Sequence, residues 1–309
     1  MAEVRAVIDV GTNSVKVLIA SVDGSIIRPI EEGSEQTRLG QGFYENHMLR
    51  PGPIEQTAAA VAEFAAQAKS WKPVSLRVVA TSAARDAANA EELIEAIERK
   101  SGLRVEVITG EQEADWAFEG VSSDPALGSQ PILAVDIGGG STEFMAGRKG
   151  ERLFGRSFKL GTVRFLERNS LSDPPAPGEL LKCLAETRAT LEQEVWPLLH
   201  PVLESLGEPV QFVASGGTST IMARIHRRLR SFNRELIDGA TMTRAEVRSM
   251  VEQLWGIRLE ARKNLIGLPA KRADVILPGV AIVDQMLEVF HLDLMRVSTR
   301  GLRFGALMH

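Results

Sequence analysis

Asp9-Val10-Gly11-Thr12-Asn13-Ser14 returns, altered, in the second half of the chain as Asp136-Ile137-Gly138-Gly139-Gly140-Ser141. The copies align without a gap: Asp on Asp, Val on Ile, Gly on Gly, Ser on Ser. Each follows a short apolar run (Val4 to Ile8; Ile132 to Val135) and leads into another (Val15 to Ala20; Phe144 to Ala146). That reads as strand, tight glycine turn, strand, used twice. For one copy alone a plain β-hairpin is the simpler reading, because short glycine motifs match by chance. Two copies in register with matching flanks argue instead for a duplicated unit, and suggest two related domains facing one another across a cleft.

The chemistry of such a turn follows from its residue types. Gly11 and the run Gly138, Gly139, Gly140 permit positive φ and close backbone approach. Successive amides, those of Thr12 and Asn13 among them, can then form an anion-binding concavity. Ser14, Ser141 and Thr142 add hydroxyl donors. Asp9 and Asp136, at strand ends, offer hard oxygen ligands suited to Mg²⁺, which keeps several waters and binds phosphate oxygens.

Composition narrows the class. At 309 residues the chain has room for two domains of ordinary size. Its formal charge of −4 argues against bulk nucleic-acid binding, though not against a local basic groove. Cys183 is the only cysteine, which excludes an intramolecular disulfide and fits a reducing cytoplasm. No basic region followed by an apolar stretch marks a signal peptide, and no uncharged apolar run reaches membrane-spanning length. The five histidines are scattered without paired-ligand spacing, so a histidine metal site is not expected.

Periodicity gives the same order of elements in both halves. Three strands cover 3–30, an alanine-rich helix 52–71, a strand 76–80, a helix capped by Asn89, a strand 103–108 and a helix 110–121. Residues 122–131 read as a linker. Strands then fill 131–158, helices 161–169 and 178–199, a strand ending at Ala214, helices 243–256 and 271–290, a strand 294–297 and a short last helix. The Val61, Ala65, Ala68 stripe and the region of Met242, Met250 and Trp255 read as core. This is an α/β architecture with a duplicated core.

The motifs in order resemble the exopolyphosphatase/guanosine pentaphosphate phosphohydrolase (Ppx/GppA) family of the actin-like ATPase superfamily. The resemblance covers nearly the whole chain. It rests on the two glycine turns, on Thr81 to Ala87 (Thr-Ser-Ala-Ala-Arg-Asp-Ala) and on Thr109 to Ala114 (Thr-Gly-Glu-Gln-Glu-Ala). Leu160 to Arg164, Ser215 to Thr218, Arg272 to Gly279 and Gly301 to Arg303 add to it. It implies two actin-like (ribonuclease H-like) domains, 1–125 and 126–309, with mixed sheets flanked by helices and a cleft between them. The last helix, about 300–309, is free to pack back on the first domain. Two departures stand out. Gln112 replaces the first of two adjacent glutamates common in the family, and Phe304 replaces an acid in the last motif. The chain also stops after the two core domains, whereas longer members add helical domains, so a tight processive grip on long chains is less expected.

The resemblance also assigns roles. Glu113 lies in the first turn of a helix capped by Thr109, where acids complement the helix dipole without any catalytic duty; the resemblance makes it the general base and leaves Glu111 structural. Arg85 falls about three residues into a helix capped by Ser82, where a cation opposes the dipole. Either Asp86 or a substrate phosphate compensates, and the resemblance favours phosphate, which suits a guanidinium. Glu143 shares a strand face with Ser141 and is implied as a metal-binding or water-orienting carboxylate; otherwise it is a solvent-facing strand residue. Gly217 and Thr218 open a helix whose N-terminus can meet phosphate. Arginines at 224, 227, 228, 230 and 234 read either as a solvated helix face or as a track for a polyanion.

The expected protein is therefore a cytoplasmic hydrolase of terminal phosphoanhydrides. Its substrate is inorganic polyphosphate or guanosine pentaphosphate (pppGpp). Mg²⁺ or Mn²⁺ is held by Asp136 and Glu143 with Asp9, and a homodimer is implied; no nucleic acid or membrane is involved. Two other classes remain open: an actin-like kinase using ATP on a small acceptor, and a non-catalytic polyphosphate or (p)ppGpp sensor.

Overall fold

Alternation along the first strands decides how the N-terminal half folds. In the computed structural model, which describes residues 2–207 and 209–309, β1 (Glu3–Val10) and β2 (Val15–Asp23) pair antiparallel, closing with Val10 opposite Val15. β3 (Ile26–Glu35) extends this hairpin. The helices α1 (Phe43–Asn46) and α2 (Pro51–Ser70) lead to β4 (Ser75–Ala80), which lies parallel to β1 on its other side. α3 (Ser82–Asp86) and α4 (Ala90–Ser101) precede β5 (Val105–Val107), and the sheet order is β3-β2-β1-β4-β5. Ala6, Ile8 and Val10 face one side with Val61, Ala65, Leu93 and Ile97 from α2 and α4. Val7, Leu18 and Val79 face the other, with Trp116 of α5 (Gly110–Ser122). Both faces are covered, which is why the strands read as continuous apolar runs. Asn89 precedes α4 as expected but does not cap it. Its side-chain amide instead donates to the Leu49 carbonyl (3.0 Å) and accepts from the Leu49 amide (2.8 Å).

The second half repeats the plan. β6 (Ile132–Ile137), β7 (Thr142–Arg148) and β8 (Glu151–Phe158) form the antiparallel meander, followed by α6 (Thr162–Arg168). α7 (Pro177–Thr190) runs through a π-helical turn at 191–195 into α8 (Trp196–Leu206), longer than the 178–199 expected. β9 (Gln211–Ser215) lies parallel to β6, just as β4 lies beside β1. α9 (Gly216–His226), α10 (Arg234–Ile237), β10 (Thr241–Thr243), α11 (Arg244–Trp255), α12 (Leu259–Lys263), α13 (Ile276–Val289) and β11 (Leu294–Val297) complete it, in the sheet order β10-β11-β9-β6-β7-β8. The expected basic helix face at 224–234 is not there. α9 ends at His226, and residues 227–233 turn back before α10. The core of this half centres on α13 and on Phe144, whose ring meets Phe158 and Phe290 edge-on.

The chain divides into two compact units, residues up to 124 with 300–309, and residues 125–299. In the first, α14 (Leu302–Ala306) packs on α5 so closely that side chains are excluded at two points. A Cβ on Gly120 would stand 2.1 Å from the Gly301 carbonyl oxygen, and one on Gly305 would stand 2.0 Å from that of Trp116. Phe304 is buried in the core below, so an apolar ring fills the position where an acid is common. No helix among the described residues is long and apolar enough to cross a membrane.

Each unit's packing has a testable outcome. Gly305→Ala forces backbone to shift and should cost about 1–3 kcal/mol in urea unfolding; unchanged stability would show that the contact yields freely. Cys183 is fully buried, and burial pushes its thiol up to about 12. It should resist thiol reagents at neutral pH until the protein is unfolded.

Candidate active site

The first glycine turn is closed by the Gly11 amide donating to the Ser14 carbonyl at 3.1 Å. Its carbonyls are taken from behind by the loop that follows β3. The Gly40 amide donates to Thr12 O (2.7 Å) and the Arg38 amide to Asn13 O (3.1 Å). The amides of Thr12 and Asn13 make no hydrogen bond among the described residues. Gln36 Nε2 donates to Asn13 Oδ1 at 3.1 Å, and Asn13 Nδ2 is a buried donor without a partner among the described residues. Buried polar groups are normally paired, so this turn carries donors in want of an acceptor.

The second turn repeats the arrangement. The Gly138 amide donates to Ser141 O at 2.9 Å. From the α6 side, the Thr162 amide takes Gly138 O (3.1 Å), the Val163 amide takes Gly139 O (2.9 Å), and Arg164 Nε takes Gly140 O (2.7 Å). The amides of Gly139, Gly140 and Ser141 have no partner among the described residues. Consecutive free amides of this kind form an anion-binding nest. Of the two uses of glycine that the sequence permits here, positive φ and close backbone approach, Gly11 and Gly138 take the second. What the missing side chain permits is closeness: a Cβ on Gly138 would lie 2.8 Å from Ser141 O.

Not every expected donor is available in this second unit. Thr142 is fully buried and gives its hydroxyl to Leu160 O at 2.6 Å, so it braces the turn from the core. Ser141 Oγ donates to Glu143 Oε1 at 2.8 Å, and Ser157 Oγ donates to the same oxygen at 2.7 Å. Glu143 is thus 2% exposed and doubly anchored, not a solvent-facing strand residue. It stands opposite Asp136 in the β6–β7 register, so the two carboxylates are cross-strand neighbours. The Asp136 side chain makes no hydrogen bond or ion pair among the described residues. Gly216, with φ +90°, abuts it; a Cβ there would lie 2.4 Å from Asp136 Oδ1. Thr218 packs against Gly279 of α13, and nothing surrounds the position of a Cβ on Gly217.

In the first unit, the C-terminal ends of parallel strands gather the remaining residues, the usual place for sites in open α/β sheets. The Thr81 amide donates to Val10 O, tying the start of α3 to the strand that ends in the turn, and the Ile108 amide donates to Ala80 O, tying the approach to α5 to the end of β4. α3 begins after Thr81 with no side-chain cap. Arg85 therefore sits in the last turn of a five-residue helix and does not oppose a dipole as expected. Its partner is Glu113. Arg85 Nη1 donates to Glu113 Oε2 at 3.0 Å and to Ile108 O at 3.0 Å, whereas Asp86 lies 3.9 Å away. Thr109 Oγ1 caps α5 by accepting from the Gln112 amide at 3.1 Å, which fixes the first turn carrying Glu113.

Residues 17–309 match the model of the Ppx/GppA phosphatase family. The chain belongs to that family. It is 30% identical to exopolyphosphatase 2 of Mycobacterium tuberculosis over 91% of this chain and 89% of the relative. It is 28% identical to the guanosine-5'-triphosphate,3'-diphosphate pyrophosphatase of Vibrio atlanticus, over 97% of this chain but 58% of that protein. Among solved structures, the Aquifex aeolicus Ppx/GppA enzyme is similar with a TM-score of 0.79 and 31% identity, covering 100% and 99% of the two chains. The two-domain actin-like fold and the reading as a hydrolase stand with the family.

This Ppx/GppA member has no group of three or more histidine, cysteine or carboxylate side chains placed to hold a metal ion among the described residues. The facing pair Asp136 and Glu143 nevertheless suits Mg²⁺, which is bound by one or two carboxylates with waters and substrate phosphates completing its shell. Asp9 is buried at the end of β1 in the other unit. Sequence reading passed over Ser157, and took Gly161, Arg164 and Gly216 only as parts of the motifs at 160–164 and 215–218, without individual roles. Gly161 is needed because a Cβ would lie 2.4 Å from Gly139 O. Its place inside the 160–164 motif was the available signal.

Adjacent glycines give a contrast. Gly216→Ala must enter a left-handed conformation against Asp136 and should cost about 1–3 kcal/mol. Gly217→Ala enters open space in the first turn of α9 and should be neutral or gain a few tenths of a kcal/mol. Equal effects in thermal unfolding would refute the crowding at Asp136.

Proposed function

We propose that this Ppx/GppA phosphatase hydrolyses the terminal phosphoanhydride of a phosphate chain, with inorganic polyphosphate favoured over pppGpp. The carrying observation is the pair of turns whose carbonyls are occupied from behind while their amides are left for an anion. Polyphosphate is favoured because the relative matched over most of both lengths is named an exopolyphosphatase, whereas the pyrophosphatase relative is much longer than the match.

In this reading the free amides at 12–13 and 139–141 bind phosphate oxygens. Arg85, held by Ile108 O and Glu113, offers its remaining donors to a phosphate. A phosphate that takes the guanidinium loosens its bond to Glu113 and leaves that carboxylate to a water. Glu113 accepts the proton as the water oxygen bonds to the terminal phosphorus. The bridging P–O bond breaks, and the products are orthophosphate and a chain one unit shorter. Phosphoryl transfer requires little beyond such placement and charge stabilisation. Mg²⁺, held by Asp136 and Glu143, would neutralise charge on the phosphates. Ser141 and Ser157 keep the Glu143 carboxylate in place for it.

The test is orthophosphate release with Mg²⁺ from long polyphosphate, short polyphosphate and pppGpp in parallel. Glu113→Gln keeps the shape of the side chain and should lower kcat by about 10²–10⁴ while substrate still binds. Release at the wild-type rate would remove Glu113 from its role. Binding without release by the wild type would turn the protein into a sensor, and ATP consumption that depends on an acceptor would turn it into a kinase.

A further inference from the structure

The turn that follows α9 holds a charge arrangement that the proposed chemistry does not use. Between Arg224 and Arg234 there are five arginines and no acidic residue, in a chain whose net charge is −4. The helix dipole accounts for Arg224 and His226, which lie in the last turn of α9. It does not account for Arg227, Arg228 and Arg230, which lie beyond the helix, are exposed, and have no ion-pair or side-chain hydrogen-bond partner among the described residues. Of the acids that flank this stretch, Glu235 follows Arg234 in the first turn of α10, and Glu246 is engaged by the Thr243 amide and hydroxyl and faces His226 at 3.8 Å.

The turn is built, not loose. The Arg227 amide donates to Ala223 O, the Arg228 amide to Ile225 O and the Leu229 amide to Arg224 O. Arg224 Nη2 donates to Arg230 O at 3.0 Å, while Arg224 Nε is buried without a partner among the described residues. Arg228 has φ +55°, a left-handed conformation that a long side chain rarely adopts. Like charges crowded on a strained, hydrogen-bonded turn repel one another, and an anion with several negative centres relieves that repulsion.

We infer that Arg227, Arg228 and Arg230 form a secondary binding surface for linear polyphosphate, engaging the chain away from its reacting end. This rests on the reading that the terminal phosphates are held in the glycine turns. α9 provides the ruler within this unit. Its first residue abuts Asp136, its last precedes the arginines, and its 11 residues span about 16 Å. A long chain can lie over both places, but a triphosphate cannot. Nucleic acid fits less well. Single-strand tracks use several aromatic platforms, and the turn exposes only Phe232, beside which the Arg234 guanidinium already stands, 5.9 Å from the ring centroid.

The deciding experiment uses the full chain carrying Arg227→Gln, Arg228→Asn and Arg230→Gln together; asparagine tolerates the left-handed backbone. Binding and hydrolysis of long-chain polyphosphate and of tripolyphosphate are compared with wild type, alongside thermal unfolding. We expect the long-chain Kd and KM to rise about tenfold, and the slope of log Kd against log salt to become shallower by about two. Tripolyphosphate KM, kcat and melting temperature should stay within about twofold or a few degrees of wild type. Unchanged long-chain affinity would overturn the inference. So would equal weakening for both substrates, which would place the effect in the glycine turns. Loss of affinity for single-stranded RNA with polyphosphate affinity intact would also overturn it. Should the triple variant unfold, Arg230→Gln alone is read by the same criteria, with a proportionally smaller change. If wild type released phosphate from no substrate, the hydrolase reading would fall, while the long-chain binding comparison would still decide the surface.

Discussion

Each glycine turn depends on its carbonyls being claimed from behind. A turn with three free carbonyls beside three free amides has no preference for an anion, because the oxygens repel what the amides attract. Here the loop at 36–41 takes the carbonyls of Thr12 and Asn13, and the start of α6 with Arg164 takes those of Gly138, Gly139 and Gly140. The polarity of the turn becomes one-sided. The remaining architecture serves this. Antiparallel β1–β2 and β6–β7 close the turns, parallel β4 and β9 bring further turns to the same strand ends, and Gly161 admits the buttress at a distance that a Cβ would forbid.

α5 shows how packing and chemistry share one element. Its first turn carries Glu113 and is capped by Thr109; its body supplies Trp116 to the core; further along, Gly120 meets the Gly301 carbonyl. A helix fixed at both ends against backbone has little freedom to rotate, so the Glu113 carboxylate is placed by contacts distant from it. The ion pair with Arg85 adds a third point. Because that pair is mostly buried, its strength as a hydrogen bond counts for more than its Coulomb energy, which desolvation offsets.

What the sequence made legible was what repeats or alternates. The paired turns, the apolar strand runs around Val7 and Ile8, and the capping threonine before α5 are local patterns with a single physical reading. The illegible features were relations across the chain. Asn89 has the right type and place for a cap, yet its amide satisfies Leu49 instead, since a tertiary partner offers both donor and acceptor. Thr142 reads as a phosphate donor, but the pleat turns it inward to Leu160 O. Arg85 reads as a lone cation beside Asp86, and only the fold brings α5 to it. Positive φ at Gly11 and Gly138 was a plausible use of glycine, but the backbone there needs proximity, and that requirement is set by atoms of other segments.

The arginines carry the same lesson to charge. A count of basic residues says little about anion binding when so many guanidiniums are bound to the protein's own carbonyls. Arg5 holds Leu307 O, Arg77 holds Ala306 O, Arg164 holds Gly140 O, Arg303 holds Val17 O, and Arg262 gathers the carbonyls of Leu254 and Ala273. These cations are staples, and their hydrogen-bonding capacity is largely used internally. An acidic protein that handles a polyanion must therefore concentrate its open donors in few places. Backbone amides do this without desolvating a charge, and they reach an oxygen that side chains would crowd. Arginines outside the staple network add long-range attraction that amides lack. On the proposed function, a division of labour would follow from the two kinds of donor: amides would fix the reacting end at short range, and guanidiniums outside the staple network would hold a flexible chain where fixed geometry is not needed.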